Sequence, residues 1–288
     1  MSERRAELGF ARPSRAGTVI LAVAALAVLG TAAFSVIQST SSAGHSAHSV
    51  AAPPVVDDGL DEFHDGFRLE LLGSPPSRGP AVPISFRILD SGGRPVTAYD
   101  LEHTKLLHFY VLRDDMVHYQ HLHPSLEADT WHTTISVPDG GQYRLYAEFL
   151  ARGRANPLHP TVLGAPFTVP GDTALVPLPA PAASADAGGL LVTRPEGAEP
   201  VPVQKVNQLR FRVTDISGRP VDRLDPYLGA AGHLSAFNSL TMGLLHQHPL
   251  GSDLTFSAQF AKRGEHRLFL EFSVAGQLHR AEFTVFVT

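Results

Sequence analysis

The chain of 288 residues contains no cysteine and only three methionines. Disulfide bonds, thiolate metal sites and cysteine nucleophiles are therefore excluded, and a Cu(I) site built from sulfur ligands is disfavoured. With 23 basic and 28 acidic residues, the chain lacks the positive charge that is typical of nucleic-acid-binding proteins. The serine-hydrolase elbow, the P-loop and the dinucleotide-binding fingerprint are missing as well. We expect neither a nucleic-acid-binding protein nor an enzyme of these classes.

One long apolar run occurs near the N-terminus, at residues 17–37, and four arginines precede it in residues 1–16. As a helix this run would extend for roughly 31 Å, about the thickness of the hydrocarbon core of a bilayer. Positive charge before the run favours a cytoplasmic N-terminal tail, with the rest of the chain outside the cytoplasm. A cleaved signal peptide is the alternative. We therefore expect a single-pass membrane anchor with extracytoplasmic domains, or a secreted protein if the segment is cleaved.

Two segments rich in small residues divide the remainder of the chain. Residues 38–65 are rich in serine, alanine and proline, which indicates a flexible stalk. Residues 171–188 have a similar composition and indicate a linker. The pieces that remain, at 66–170 and 189–288, are each about the size of one domain.

These two pieces are copies of each other. Residues 84–124 align with residues 209–249 at a constant offset of 125, without a gap and with identities at 12 of 41 positions. Farther along, GQYRLYAEF at 141–149 corresponds to GEHRLFLEF at 264–272, and Phe-Thr-Val closes both copies. The second half of the protein is therefore a duplication of the first.

Each copy has the sequence pattern of an all-β domain. Short runs of alternating, β-branched or aromatic residues recur every 8–15 residues, with Gly-Arg-Pro and other turn sequences between them. In the first copy we expect strands at 67–72, 82–89, 105–112, 118–123, 131–137, 142–150 and 165–169. About seven short antiparallel strands in ~100 residues predict an immunoglobulin-like β-sandwich, here in two tandem copies.

Histidine is the residue that best links the two copies to chemistry. Outside the stalk, only three pairs of histidines keep their places in both copies: His108, His121 and His123, and His233, His246 and His248. Both sets have the form His-x12-His-x-His-Pro. Residues two apart on a strand leave the same face. A tight turn at residues 114–115 would place His108 opposite His121, so that three imidazoles share one face of a hairpin.

Three imidazoles from adjacent strands can bind one divalent ion, and imidazole ligands without thiolate suit Cu(II) or Zn(II). We therefore predict one three-histidine metal site in each copy. The alternative is a non-catalytic envelope module in which the histidines only pack. His118 lies an odd number of residues from His121 and is expected to face away from it.

Other polar residues carry weaker expectations. His103, His132 and His159 have no counterpart in the gapless alignment, although His159 and His279 have similar places before the last strand. We expect His103, His132 and His159 at the surface, with a role as an extra ligand as the alternative. Alternation places Glu148 and Glu271 opposite their apolar neighbours, so we expect them on a solvated face. Support of a metal-binding histidine is the alternative for both.

The segment HLHPSLE at 121–127 is similar to the first metal motif of cupins, which would imply a metal-dependent enzyme. The glycine that cupins have six residues before the first histidine is replaced by Asp115 and, in the second copy, by Leu240. His108 and His233 also have no place in that motif, and we do not expect an enzyme.

The anchor followed by GRPV, LLHFYVLRDD, HLHP and GQYRLYAEF resembles a group of secreted or membrane-anchored bacterial proteins with duplicated His-x-His-Pro domains. These are similar to YtkA-like and FixH-like extracytoplasmic β-sandwich domains, and the resemblance covers roughly residues 66–288. It implies a role in metal handling, chiefly of copper, with an envelope metal-handling protein as a possible partner.

Overall fold

The computed structural model describes residues 57–73, 75, 77–153, 159–249 and 251–288. The predicted cytoplasmic tail, the anchor at 17–37 and most of the stalk lie outside these residues. Within the described part of the chain all regular structure is β, and no helix there is long and apolar enough to cross a membrane. The all-β prediction is therefore confirmed.

The described residues form nineteen strands. In the first repeat they are β1 (Phe63–His64), β2 (Phe67–Leu71), β3 (Gly79–Leu89), β4 (Tyr99–Asp100), β5 (Leu107–Arg113), β6 (Gln120–Leu122), β7 (Ser125–Glu127), β8 (Thr130–Val137), β9 (Gly141–Ala151) and β10 (Thr161–Val169). In the second they are β11 (Ser184–Asp186), β12 (Leu190–Thr193), β13 (Val206–Arg210), β14 (Arg212–Asp215), β15 (Gly232–Asn238), β16 (Leu244–Gln247), β17 (Thr255–Gln259), β18 (Gly264–Val274) and β19 (Gln277–Val287).

The first repeat is a sandwich of two antiparallel sheets. One sheet has the order β1-β2-β3-β8-β7, and the other has the order β10-β9-β5-β6 with β4 paired to β9. This is the strand order of an immunoglobulin-like domain, in which strands A, B, E and D face strands G, F, C and C′. Each predicted strand of this repeat is present, with ends that differ by a few residues.

The second repeat has the same plan. Its complete sheet has the order β16-β15-β18-β19, which corresponds to β6-β5-β9-β10 of the first repeat. In the opposite layer the counterpart of the long strand β3 is divided at Phe211 into β13, which pairs with β17, and β14, which pairs with β12. Two repeated β-sandwiches are thus confirmed.

Each repeat has its own hydrophobic core between its two sheets, and a third cluster joins the repeats. This third cluster draws buried residues from both copies: Tyr110, Leu112, Met116, Tyr119, Tyr146 and Val162 from the first, and Phe237, Leu244 and Phe269 from the second. The rings of Tyr119 and Phe269 stack with centroids 4.1 Å apart. The sheets that contain β5 and β15 therefore pack against each other across the boundary between the repeats.

Strands β5 and β15 are buried along their whole length on both faces, because one face contacts the core of its own repeat and the other contacts the opposite repeat. This corrects the expectation for Glu148 and Glu271. Both do point away from their own core, but the other repeat covers that face, and only 4% and 5% of the two residues is exposed.

The final residues of the predicted stalk contact both repeats. The carbonyl of Asp61 accepts a hydrogen bond from Gly164 N (3.0 Å), and that of Asp58 accepts one from Leu244 N (2.8 Å). Gly59 approaches Gly164 so closely that a side chain at Gly164 would collide with its carbonyl. Residues 57–65 therefore belong to the folded unit rather than to a free stalk.

Candidate metal centre

The hairpin formed by β5 and β6 places the first two candidate ligands on neighbouring strands. Tyr110 lies opposite His121 and Phe109 opposite Leu122. The predicted register, with His108 opposite His121, is therefore wrong by two residues. A shift of two keeps every side chain on its predicted face, so His108, His121 and His123 still share one face of the sheet.

The register differs because the turn is longer than a two-residue loop. Arg113 N donates to the carbonyl of Val117 (3.1 Å), and Met116 N donates to the carbonyl of Arg113 (2.9 Å). Met116 adopts a left-handed backbone conformation with φ of 67°, which closes the turn. The corresponding hairpin of the second repeat has the equivalent pairing, with Ser235 opposite His246.

The central strand pair brings a carboxylate to the same face. His108 on β5 lies opposite Glu148 on β9, and His233 on β15 lies opposite Glu271 on β18. Directly opposite residues point to the same side of an antiparallel sheet. Each repeat therefore presents histidines and one glutamate to the other repeat.

In the first repeat, hydrogen-bond partners determine which ring nitrogens carry protons. His108 Nε2 lies 3.1 Å from the carbonyl oxygen of Glu102, which can only accept, so this nitrogen carries the proton. His121 Nδ1 lies 2.8 Å from Glu271 Oε2 of the second repeat and donates to that carboxylate. When the rings are neutral, His108 Nδ1 and His121 Nε2 are left with lone pairs.

These two bare nitrogens face each other at 2.9 Å. Two lone pairs repel at that distance, so the arrangement is favourable only with a cation between them, either a proton or a metal ion. Two nitrogens bound to one ion at ~2.0–2.1 Å lie about 2.9 Å apart at a right angle and about 3.3 Å apart at the tetrahedral angle. The observed separation suits a shared ion.

The second repeat reproduces this arrangement. His233 Nε2 donates to the carbonyl of Tyr227 (3.2 Å), and His246 Nδ1 donates to Glu148 Oε2 of the first repeat (2.6 Å). His233 Nδ1 and His246 Nε2 then face each other at 3.3 Å. The carboxylate contacts cross between the repeats in both directions.

In the first repeat, the third histidine of the predicted set completes a group that can hold a metal ion. Candidate ligand atoms of His108, His121 and His123 lie within 4.8 Å of one another. The Nε2 atoms of His123 and His248 are both buried without a hydrogen-bond partner. Unpaired buried nitrogens are uncommon, and coordination of a metal ion would give each of these two a partner.

The second group contains a residue that sequence reasoning placed at the surface. His103, His233 and His248 bring their candidate ligand atoms within 4.8 Å of one another, although His103 belongs to the first repeat. Its ring stacks on that of His248, with centroids 3.3 Å apart. His246, predicted for this site, does not belong to that trio, but its Nε2 lies 3.3 Å from His233 Nδ1, and we count it as a fourth candidate ligand of the second group. The only signal in the sequence for His103 was its place five residues before His108.

Burial lowers the pKa of five of these histidines and so favours the neutral form, which is the form that binds metal. It lowers the pKa of His108 to about 3 and that of His123 to about 2. Burial also lowers the pKa of His103, His233 and His248, and the neighbouring His246 adds to the decrease in each.

The carboxylates around the histidines differ in charge state. Burial by itself would raise the pKa of Glu148, but His246 and the hydroxyl of Tyr110, which donates to Glu148 Oε2 at 2.9 Å, hold that pKa at about 2. Burial, together with the charge of Glu148, raises the pKa of Glu102 to about 7. Glu148 is therefore a carboxylate that can orient His246 and offset positive charge.

Other histidines lie away from the centre. His118 points to the opposite side, where its Nε2 lies 3.0 Å from Asp139 Oδ2, which confirms the expectation that it faces away. His132 contacts Ser85 Oγ at 2.9 Å, and His159 is exposed. Glu127, the acidic residue of the cupin-like motif, is also exposed and does not join the histidines.

A family model described as a domain of unknown function, DUF8832, matches residues 62–164 and again residues 186–288. The chain belongs to the DUF8832 family. The two matches agree with the internal duplication, and each DUF8832 copy contains one of the repeated histidine sets. They lend no support to the resemblance to YtkA-like and FixH-like domains. A search of the curated proteins found no significant match.

Solved structures match the two DUF8832 copies only at low sequence identity and low TM-score. The adhesin FdeC of Escherichia coli is 12% identical, with a TM-score of 0.24, over 77% of this chain and 64% of the adhesin. MtrC from Shewanella baltica is 6% identical, with a TM-score of 0.25, over 77% of this chain and 70% of that protein. Similarity at this level carries no argument about function.

Proposed function

We propose that this protein binds Cu(II) or Zn(II) outside the cytoplasm and acts in metal buffering, sensing or delivery rather than in catalysis. The observation that carries the proposal is the pair of facing nitrogens, His108 with His121 and His233 with His246. In both pairs the remote nitrogen is tied to an acceptor, which directs the bare nitrogen toward its neighbour. Carboxylates and carbonyls orient metal-binding histidines in the same way.

A role in packing alone accounts less well for this arrangement. Packing histidines use their polar nitrogens in hydrogen bonds, because a buried polar atom without a partner is costly. Here His123 and His248 each leave Nε2 buried and unpaired. A single metal ion in each group would satisfy these nitrogens and remove the repulsion between the facing pair.

The donor set favours Cu(II) and Zn(II) among the divalent ions. Only imidazole nitrogens converge in the two groups, and imidazole suits Zn, Cu and Ni. Cu(II) forms the most stable complexes with such ligands among the first-row divalent ions. Copper is also the metal that the resemblance to YtkA-like and FixH-like domains implies.

The burial of the ligands favours storage or transfer over turnover. Only 1% of His108 is exposed, and the side chain of His121 is fully buried. A substrate would have little access to an ion held there. The proposed location rests on the sequence, with residues 17–37 as anchor or signal segment and an envelope metal-handling protein as the partner.

Metal titration of the full chain, purified in detergent, tests this proposal. We expect Cu(II) and Zn(II) to bind more tightly than micromolar in competition with a chelator of known affinity. His121→Ala combined with His246→Ala should abolish this binding, whereas the control His118→Ala should retain it. Binding weaker than micromolar, or binding that the double variant preserves, would contradict the proposal.

A further inference from the structure

The two histidine groups lie side by side rather than at separate ends of the molecule. The ring centroids of His108 and His233 are 6.0 Å apart, and those of His108 and His246 are 5.4 Å apart. His121 and His246 are separated by 5.9 Å. These rings come from different repeats and contact each other across the boundary between them.

Each group also depends on residues of the opposite repeat. Glu271 of the second repeat accepts from His121, and Glu148 of the first repeat accepts from His246. His103 of the first repeat joins His233 and His248 of the second. Neither repeat therefore contains all of the residues that build and orient its own group.

We propose that the two groups form one two-ion centre, in which each ion is held by ligands that the opposite repeat positions. This inference rests on the proposed function. An ion lies roughly 3 Å from the ring centroid of a histidine ligand, so ions bound by His108 and His233 are at most roughly 12 Å apart. At that separation two Cu(II) ions interact magnetically.

The surrounding carboxylates make two neighbouring cations tolerable. The histidine rings contribute no charge when neutral, whereas Glu148 and Glu271 place two buried carboxylates against the outer nitrogens of His246 and His121. The centre thus contains built-in negative charge next to both groups.

The pairing has a consequence that separate sites would not have. Because Glu271 orients His121, Glu271→Gln should weaken the group of the first repeat, and Glu148→Gln should weaken that of the second. Loss of a carboxylate that orients a metal-binding histidine lowers affinity about 10–100-fold. The second group should therefore bind its ion more tightly than the first in Glu271→Gln, and the first group more tightly than the second in Glu148→Gln.

Cu(II) titration followed by electron paramagnetic resonance tests the two-ion centre in the full chain. We expect two equivalents to bind and the spectrum at two equivalents to be broadened by dipolar coupling. His123→Ala and His248→Ala should each bind one ion, with an unbroadened spectrum, which also shows that the variants fold. His118→Ala should behave like the unmodified protein.

The possible failures can be told apart. The two-ion centre would be overturned if two Cu(II) ions bound without broadening of the spectrum. It would also be overturned if each Glu→Gln substitution lowered metal affinity only in the repeat that contains it. Both results would leave the proposed function standing. Binding of only one equivalent of Cu(II) by the unmodified protein would likewise overturn the two-ion centre but not the proposed function. If the unmodified protein bound no Cu(II), both the two-ion centre and the proposed function would be overturned.

Discussion

The two repeats share a pair of facing histidines but differ in what surrounds it. The facing ring nitrogens are 2.9 Å apart in the first repeat (His108 Nδ1 and His121 Nε2) and 3.3 Å apart in the second (His233 Nδ1 and His246 Nε2). Both pairs are tied at one end to a loop carbonyl and at the other to a glutamate of the opposite repeat. The contacts that hold the facing pair are thus the same in both copies.

The differences lie mainly in the loop before the first histidine and in one strand position. The first repeat has His103 where the second has Leu228, and Tyr110 where the second has Ser235. Tyr110 donates to Glu148, whereas Ser235 accepts from Tyr119 instead. The first repeat therefore supplies four histidines and a supporting hydroxyl.

The largest expected effect comes from removing one partner of a buried pair in the metal-free protein. His121→Ala leaves the buried carboxylate of Glu271 without its histidine, and breaking such a pair costs about 3–5 kcal/mol. His246→Ala should cost less, because Glu148 keeps the hydroxyl of Tyr110. Urea unfolding of both variants measures the difference in the free energy of unfolding. Equal decreases would mean that the hydrogen bond from Tyr110 does not stabilise the carboxylate of Glu148.

The pH dependence of stability should reveal the buried histidines of both repeats. The pKa of His108 is about 3 and that of His123 about 2, well below the value of ~6.5 in the unfolded chain. The unfolded state therefore binds more protons below pH 6.5, and the folded state loses stability as the pH falls. The loss is at most about 1.4 kcal/mol per pH unit for each histidine.

Urea midpoints of the metal-free protein between pH 7 and 4 test this expectation. His123→Asn should show a shallower decrease because one depressed histidine is missing. A variant with the slope of the unmodified protein would show that His123 does not stay neutral in the fold.

Exchanging a loop residue between the repeats tests the difference between His103 and Leu228. His103→Leu copies the second repeat and removes a candidate ligand of the second group, which should lower the affinity of that group at least about tenfold, or 1.4 kcal/mol. Leu228→His is the matched opposite change. Both positions have a left-handed backbone, with φ of 43° and 51°, so neither exchange introduces new strain.

Cu(II) competition titration of these two variants provides the readout. The first group should bind as before in His103→Leu, since His108, His121 and His123 are unchanged. Undiminished affinity in both groups would mean that His103 only stacks on His248.

The smallest effect is expected for the hydroxyl at position 110. Tyr110→Phe removes one of two donors to Glu148 and should cost about 1–3 kcal/mol of stability, at the low end because His246 remains. Ser235→Ala at the equivalent position removes the partner of Tyr119 and should cost about as much. Metal affinity should fall in the second group for Tyr110→Phe and in neither group for Ser235→Ala.

The sequence predicted the fold class and most of the strands, because alternation and turn chemistry are local signals. It also predicted that His108, His121 and His123 share a face. That prediction survives a register change of two residues, because side chains on a strand alternate between faces with a period of two. The register within the hairpin was wrong by two, because residues 114–117 form a longer turn than the dipeptide suggested.

The roles of Glu148 and Glu271 escaped prediction for a different reason. Alternation correctly placed them away from their own core, which in an isolated sandwich means solvent. Only the packing of one repeat on the other turns that face into an interior. His103 escaped because it lies in a loop, where no period relates a residue to the sheet.

The sequence by itself thus determined two β-sandwich copies and a repeated histidine set on one face of each. The tertiary structure decided that the two faces meet, that the carboxylates cross between repeats, and that His103 joins the second group. The reason is physical: strand periodicity specifies which side a residue leaves, whereas contacts between residues 98 and 150 positions apart depend on how completed sheets pack.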